Sequence, residues 1–403
     1  MRPATQLTRD GWLLLASKGT RNFGYGFLSV ILGLYLDEVG FTPIEVGFIL
    51  TATLIGSAML TGVVTARADR LGRRRMLMVS SGLMALSGII FAVAHTPWLL
   101  VVAALTGTIS ATSGEVGPFE TVESAILPQT TSENRRNQAF GLYSAVGAAM
   151  VALGALAAAV PARTSQLDIL TSYRLMFWLY AAIGVATLLI ASRLSQKVEL
   201  AKLPERTGLV TLTHSRGPIL KLAGLFAIDA FAGGFVVQSL IVYWFSLRFG
   251  VGAEYLGPLF FGVNVMKSIS YLLAVRIADR IGLLNTMVFS HLPSNVMLMM
   301  IPLMPTLASA SILLLARHLL SQMDVPTRGS YIVAVVEPEE RVAATGVTSI
   351  ARTTAQAFGP VIAGAALSVA RFGFPFFVGG GLKIVYDIAL YFSFRGHKPP
   401  EER

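Results

Sequence analysis

The sequence predicts an all-α membrane protein: twelve transmembrane helices built as two pseudo-symmetric six-helix bundles (6+6). Three observations lead there. The 403 residues are 54% hydrophobic and 13% charged, whereas about a quarter of a typical soluble domain is charged. Apolar stretches recur at the roughly 20-residue length that a helix needs to cross about 30 Å of hydrocarbon. A charged turn, ARADRLGRRR at 66–75, returns as VRIADRIGLL at 275–284, which puts Asp69 and Asp279 210 residues apart.

The spans are placed at 11–36, 43–65, 76–94, 98–124, 138–160, 173–192, 219–246, 254–275, 285–303, 308–335, 343–369 and 374–394. Lipid offers no partner for an unpaired backbone group, so spanning segments are helices or closed barrels. These runs are too long and too evenly apolar for barrel strands, which alternate. The net charge of +10 does not point to nucleic acid, because of where it sits. With an inner N-terminus, most Lys and Arg fall in the inner loops and tails. The outer side holds Arg163, Arg174, Arg248 and Arg371. That asymmetry is the positive-inside rule. The N-terminal stretch, interrupted by Lys18 and Arg21, reads as a retained first span rather than a cleaved signal. The absence of cysteine removes disulfides and thiolate-held metals.

Internal repetition organises the chain. NFGYGF at 22–27 aligns with AFAGGF at 230–235, offset 208; Gly47 aligns with Gly257, offset 210; RNQAFGLYS at 136–144 aligns with RVAATGVTS at 341–349, offset 205. The domains are therefore placed at 1–192 and 219–403, joined by a cytoplasmic linker at 193–218. Six is even, so the halves share one orientation and are parallel repeats about an axis along the membrane normal. In the repeated turn, glycine suits the sharp reversal between two helices. The Asp is placed to accept hydrogen bonds from a neighbouring helix N-terminus and to interact with its dipole, which would latch two elements on the inner side.

The turn between spans 2 and 3 resembles the signature loop of the major facilitator superfamily, roughly Gly-x-Leu-Ala-Asp-Arg-x-Gly-Arg-Lys. Asp69, Arg70, Gly72, Arg73 and Arg74 match it; Thr65 stands where that family usually has Gly, and Arg67 where it has Leu. The second copy keeps Asp279, Arg280 and Gly282 without the trailing Arg pair. The resemblance implies a 6+6 bundle, a central cavity lined by spans 1, 4, 7 and 10, alternating access, and a cytoplasmic gate at these two loops.

Charges inside the spans are the candidate working groups. A charge at the centre of a membrane helix costs about 2.5–3.5 kcal/mol on insertion scales, so it is expected to face a cavity or a partner. Span 1 carries Lys18 and Arg21; span 4 carries Glu115, Glu120 and Glu123; span 7 carries Asp229; span 8 carries Lys267. Span 10 carries Arg317, Asp324 and Arg328, span 11 Arg352, and span 12 Lys383 and Asp387. At the local offsets Arg21 maps onto Asp229, and Glu123 onto Arg328. Opposite charges thus occupy related positions, which suggests that Arg21–Asp229 and Glu123–Arg328 pair across the two halves in some states of the protein, either as structural ties or as gates. Asp229 is the first choice for a proton carrier, with Glu120 or Glu123 second. Tyr25 and Gln238 are cavity candidates beside them. Pro118 and Pro326 are expected to kink spans 4 and 10. His291 and His318 read as isolated, with no metal-ligand spacing.

No Gly-x-x-x-x-Gly-Lys-Ser/Thr loop is present, which argues against direct ATP drive, and no soluble stretch is large enough for an enzyme. Gly359-Pro360 and Gly364 in span 11 are similar to the Gly-Pro…Gly pattern that antiporters of the superfamily carry in span 5; here span 5 has Gly141, Gly147 and Gly154 but no Pro. The reading is a secondary active transporter working by alternating access: a proton-coupled antiporter that exports a small polar or ionisable organic compound. Proton-coupled import of an organic anion is the alternative, and a non-transporting scaffold or sensor is the alternative of another class. The expected partners are a small-molecule substrate and the lipid bilayer, with no nucleic acid, no metal and no cofactor beyond the proton as coupling ion. The expected setting is a monomer in a bacterial inner membrane, both termini cytoplasmic.

Overall fold

The computed structural model describes residues 7–94, 96–113, 117–132, 135–164, 167–199, 216–334, 336, 340–369 and 372–396. Among them there is no strand. The helices are α1 (Arg9–Glu38), α2 (Pro43–Leu71), α3 (Arg73–Val93), α4 (Pro97–Leu105), α5 (Pro118–Ile126), α6 (Arg136–Ala157), α7 (Val160–Thr164) and α8 (Ile169–Ser192). The order continues with α9 (Arg216–Gly234), α10 (Gln238–Phe249), α11 (Ala253–Ile281), α12 (Leu283–Met300) and α13 (Leu307–Ser321). The chain ends in α14 (Asp324–Ala334), α15 (Arg341–Ala357), α16 (Gly359–Ser368) and α17 (Phe374–Phe394).

Among the described residues, eight segments are long and apolar enough to span a bilayer, α9 and α10 together counting as one of them. The other four expected spans are the charged α1 and the pairs α4/α5, α13/α14 and α15/α16. The last three were expected to be continuous and are broken, as is span 7 into α9 and α10. Proline marks where three of the broken spans resume as a helix. Pro118 is the first residue of α5, Pro326 the third of α14 and Pro360 the second of α16. A proline in the first turn of a helix loses nothing, because its missing N–H would have no intrahelical acceptor there. The expected kinks at Pro118 and Pro326 are thus helix starts.

The repeated turn is built the same way twice. Gly72 sits at φ 101° and Gly282 at φ 86°, a region that side chains disfavour. The Gly72 N–H donates to the Ala68 carbonyl and the Gly282 N–H to the Ala278 carbonyl, at 3.0 and 2.9 Å; Met76 and Thr286 return the same bond to the glycine carbonyls at 3.1 Å each.

The described residues fall into two compact units. One is drawn from 1–42, 48–205 and 241–261, the other from 43–47, 206–240 and 262–403. In the first, α1 packs against α6 and α8, and α3 against α8. In the second, α9 packs against α15 and α17, and α12 against α13, α14 and α17. Small residues set the closest crossings, as expected where helices associate in lipid. A Cβ on Gly26 would strike the Val151 carbonyl, and one on Gly154 the Phe23 carbonyl. At the repeat-related positions, a Cβ on Gly234 would strike the Gln356 carbonyl, and one on Gly359 the backbone of Gly234. The two repeats therefore use the same glycine-on-glycine crossing, Gly26 with Gly154 and Gly234 with Gly359. Of the other span 5 glycines, Gly147 faces Asn22 and Lys18, whereas Gly141 faces open space.

Candidate functional site

Each unit contains a buried charge network, anchored on helices that the crossings above hold close. In the first, Arg21 on α1 meets Glu123 on α5 through two parallel bonds, Nη1 to Oε1 at 2.8 Å and Nη2 to Oε2 at 2.7 Å. Both side chains are 0% exposed. The Ser17 hydroxyl donates to Glu123 Oε1 at 3.0 Å and the Tyr143 hydroxyl to Oε2 at 2.6 Å. Arg21 also donates to the Ser17 oxygen, and its guanidinium lies 4.2 Å from the centre of the Phe119 ring. Two-point pairing of this kind fixes geometry as well as charge. Lys18 is buried over the Tyr143 ring at 4.5 Å, and its Nζ stands 4.0 Å from Glu120, which is half exposed. Tyr25 is buried and lies against Tyr180, ring centres 6.3 Å apart. Glu115 lies outside the described residues.

In the second unit, Asp229 on α9 gathers three cations. Lys383 Nζ on α17 is 2.5 Å from Oδ1; Arg328 on α14 and Arg352 on α15 approach Oδ2 at 3.4 and 3.2 Å. Arg328 also bonds Asp324, four residues back on α14, at 2.9 Å. Lys267 donates to the Gln238 amide oxygen at 3.3 Å, which links α11 to the start of α10. Taking charges from a dry interior is expensive unless they are paired and hydrogen-bonded, and the two networks meet that condition in different ways: one closed pair, and one carboxylate shared by several cations.

In this structure the charges pair inside each repeat, not across the two halves as the sequence suggests for some states. Arg21 pairs with Glu123, and Asp229 with Arg328, each within its own repeat. The charge reversal between related positions is real, but it produces two internal ion pairs of opposite polarity: cation on span 1 with anion on span 4, then anion on span 7 with cation on span 10. Three members, Ser17, Tyr143 and Lys383, were missed as site residues; Ser17 is a small polar residue in span 1 with nothing in its spacing to single it out. Tyr143 carried no signal beyond an aromatic in span 5. Lys383 was visible as an intramembrane charge, but nothing in its spacing tied span 12 to Asp229.

The signature loop is also rearranged. Asp69, half exposed, bonds Arg73 at 2.9 Å rather than a neighbouring helix start. The first backbone N–H groups of α3 are instead accepted by Glu199, Arg73 N–H at 2.7 Å and Arg74 N–H at 3.1 Å. A carboxylate at a helix N-terminus satisfies orphan donors and the dipole together. Arg73 reaches the Ala125 carbonyl at 3.3 Å, and Arg74 the Ser192 carbonyl at the end of α8. Arg70, Asp279 and Arg280 are exposed.

His291, expected to be isolated, is not. Its Nδ1 lies 2.9 Å from Asp387 Oδ1, and Asn295 donates to Asp387 Oδ2 at 2.9 Å. His318 bonds the Leu314 carbonyl at 2.8 Å and the Arg317 Nη1 at 3.2 Å. Among the described residues, no group of His, Asp or Glu has a metal-binding arrangement.

Comparisons with known proteins agree with this architecture. The chain is 28% identical over 424 residues to an uncharacterized membrane protein of Saccharomyces cerevisiae, covering 96% of this chain and 95% of that one. Among solved structures, the nucleoside transporter NupG superposes with a TM-score of 0.75 at 13% identity, over 96% of this chain and all of that one. A D-xylose–proton symporter superposes with a TM-score of 0.73 at 15% identity, over 94% and 97%. At such identities the likeness is one of fold. Residues 15–322 match the description of the Major Facilitator Superfamily. The chain is a multi-pass integral membrane protein and belongs to the major facilitator superfamily of secondary transporters.

Proposed function

We propose that the protein is a proton-coupled antiporter that exports a small polar or ionisable organic compound by alternating access. The observation that carries the reading is the pair of charge-reversed networks, Arg21–Glu123 in one repeat and Asp229 with Lys383, Arg328 and Arg352 in the other. Intramembrane ionisable groups are costly and mark substrate or proton pathways. Asp229 is held by cations from three helices, so a shift of α9 against α14, α15 or α17 changes its charge balance. A bound substrate that takes over one of those cations would do the same. Either event links protonation to movement. The Gly359-Pro360 break in span 11 gives export its support, through its similarity to the antiporter pattern. The proton is the coupling ion, the protein acts as a monomer, and it sits in an inner membrane with both termini cytoplasmic.

A second reading has its own observation. Lys267 and the buried Arg317 lie on α11 and α13, with the Arg317 Nε lacking a hydrogen-bond partner among the described residues. A cationic pocket there would suit uptake of an organic anion. Purified protein in liposomes with an internal pH reporter separates the two. Export by exchange requires that an outward proton gradient and a cationic or zwitterionic compound move in opposite directions, with the movement lost in Asp229→Asn. Co-movement of protons with benzoate, lost in Arg317→Gln, would replace export by anion uptake. Binding without flux would return the scaffold alternative.

A further inference from the structure

We infer that Arg317, on α13, is an anion-binding side chain that takes a carboxylate of the transported compound, and that His318 positions it. The compound of either reading above then has a chemical class: an organic anion, or a zwitterion that includes a carboxylate. The part of this site in transport rests on those readings; its capacity to bind does not.

Arg317 is a buried cation that holds no carboxylate. It is 6% exposed and His318 5%. Among the described residues its one hydrogen bond runs from Nη1 to His318 Nε2, at 3.2 Å. Its Nε is buried with no hydrogen-bond partner. The other arginines buried among the described residues, Arg21, Arg73 and Arg328, each hold a carboxylate. Asp324 and Asp229 are the carboxylates whose charges act on Arg317, and both are already engaged. Asp324 bonds Arg328, and Asp229 is shared by Lys383, Arg328 and Arg352. A buried charge left in this way is expensive, and inside a membrane span it marks a place where a ligand does the pairing.

His318 holds the guanidinium in a useful orientation. Its Nδ1 donates to the Leu314 carbonyl, one turn back, at 2.8 Å. Its Nε2 is then the nitrogen that carries no hydrogen, and it accepts from Arg317. That bond occupies Nη1. It leaves the edge formed by Nε–H and Nη2, whose parallel donors match the two oxygens of a carboxylate. Lys267, on α11, adds a second positive charge that acts on Arg317 and His318 alike. An anion at the free edge of Arg317 is attracted by both cations and offsets the repulsion between them.

Depth selects the kind of anion. Helix α13 starts at Leu307, so Arg317 lies about 15 Å along it, near the middle of a hydrocarbon core of about 30 Å. The phosphate of a lipid headgroup stays at the surface. A small organic carboxylate reaches Arg317 through the protein.

The test compares full-length wild type with Arg317→Met in phosphatidylcholine nanodiscs. Acetate, benzoate, succinate and citrate are the probes, with benzamide and inorganic phosphate as controls. A structural arginine and a ligand-binding one differ before any probe is added. Arg317→Met is expected to melt no lower than wild type, because it removes a buried charge that has no carboxylate; a drop of several degrees would make Arg317 a structural tie and overturn the assignment. At least one carboxylate is expected to raise the melting temperature of wild type, with no rise in Arg317→Met and none from benzamide. A panel in which no carboxylate does so, or in which the variant responds equally, also overturns it, whatever phosphate does. His318→Leu is expected to weaken carboxylate binding about tenfold, the size of one lost hydrogen bond, and His318→Gln, which keeps an acceptor for Nη1, to restore most of it. Equal binding in the two variants removes the positioning role. Carboxylate binding without flux of any probe into liposomes removes the transport readings and leaves the site. Carboxylate flux that is equal in wild type and Arg317→Met removes the site and leaves those readings.

Discussion

The Arg21 guanidinium holds both oxygens of the Glu123 carboxylate, and neither side chain reaches solvent. Removing one partner leaves the other charge buried alone, at a cost of about 3–5 kcal/mol for such pairs. Arg21→Gln and Glu123→Gln are each expected to lower thermal stability in detergent by that order. The double variant is expected to recover part of the loss, because no uncompensated charge remains. Equal losses that simply add would show that the two residues act independently.

Lys383 makes the shortest contact to Asp229. Lys383→Met is therefore expected to impair transport as severely as Asp229→Asn, although Lys383 belongs to span 12. A double-mutant cycle on the amount of folded protein measures the link. A coupling near zero would mean that Arg328 and Arg352 alone hold Asp229.

The glycine crossings admit no side chain. Gly154→Leu and Gly359→Leu each place atoms in the backbone of a neighbouring helix. Both are expected to prevent accumulation of folded protein in the membrane, whereas Gly141→Leu, facing open space, is expected to be tolerated. Normal levels of all three would show that these helices cross more loosely.

At the inner turn, Glu199 rather than Asp69 caps α3. Glu199→Ala is expected to cost about 0.5–2 kcal/mol, the usual range for a lost N-cap. Asp69→Asn breaks only a half-exposed pair with Arg73, worth up to about 1 kcal/mol. Melting temperatures of the two variants decide the order; a larger drop in Asp69→Asn would restore Asp69 as the main latch.

Much of the fold was legible in one dimension. Hydropathy placed eight spans among the described residues, because a long apolar helix must cover the thickness of the bilayer whatever its neighbours are. The offsets of 205 to 210 residues located related positions, and the structure returns them as matched contacts: Gly26–Gly154 with Gly234–Gly359, and the paired turns at Gly72 and Gly282. The breaks in spans 4, 10 and 11 were half legible. Proline marked where a helix could not continue, but whether the chain kinks or restarts depends on what neighbouring helices offer the freed backbone groups.

The site divides along the same line. Composition and spacing alone determined which helices carry buried charge, that these charges are reversed between the repeats, and that the chain lies in a membrane. The tertiary structure decided who pairs with whom. Arg21 turns to Glu123 and Arg328 to Asp229, Lys383 joins from span 12, Glu199 takes the helix start meant for Asp69, and His291 finds Asp387. A sequence fixes the sign and depth of a charge, because those follow from residue type and position along a helix. Its partner is set by the rotation and separation of two helices, which depend on side-chain packing along their whole length and leave no local mark.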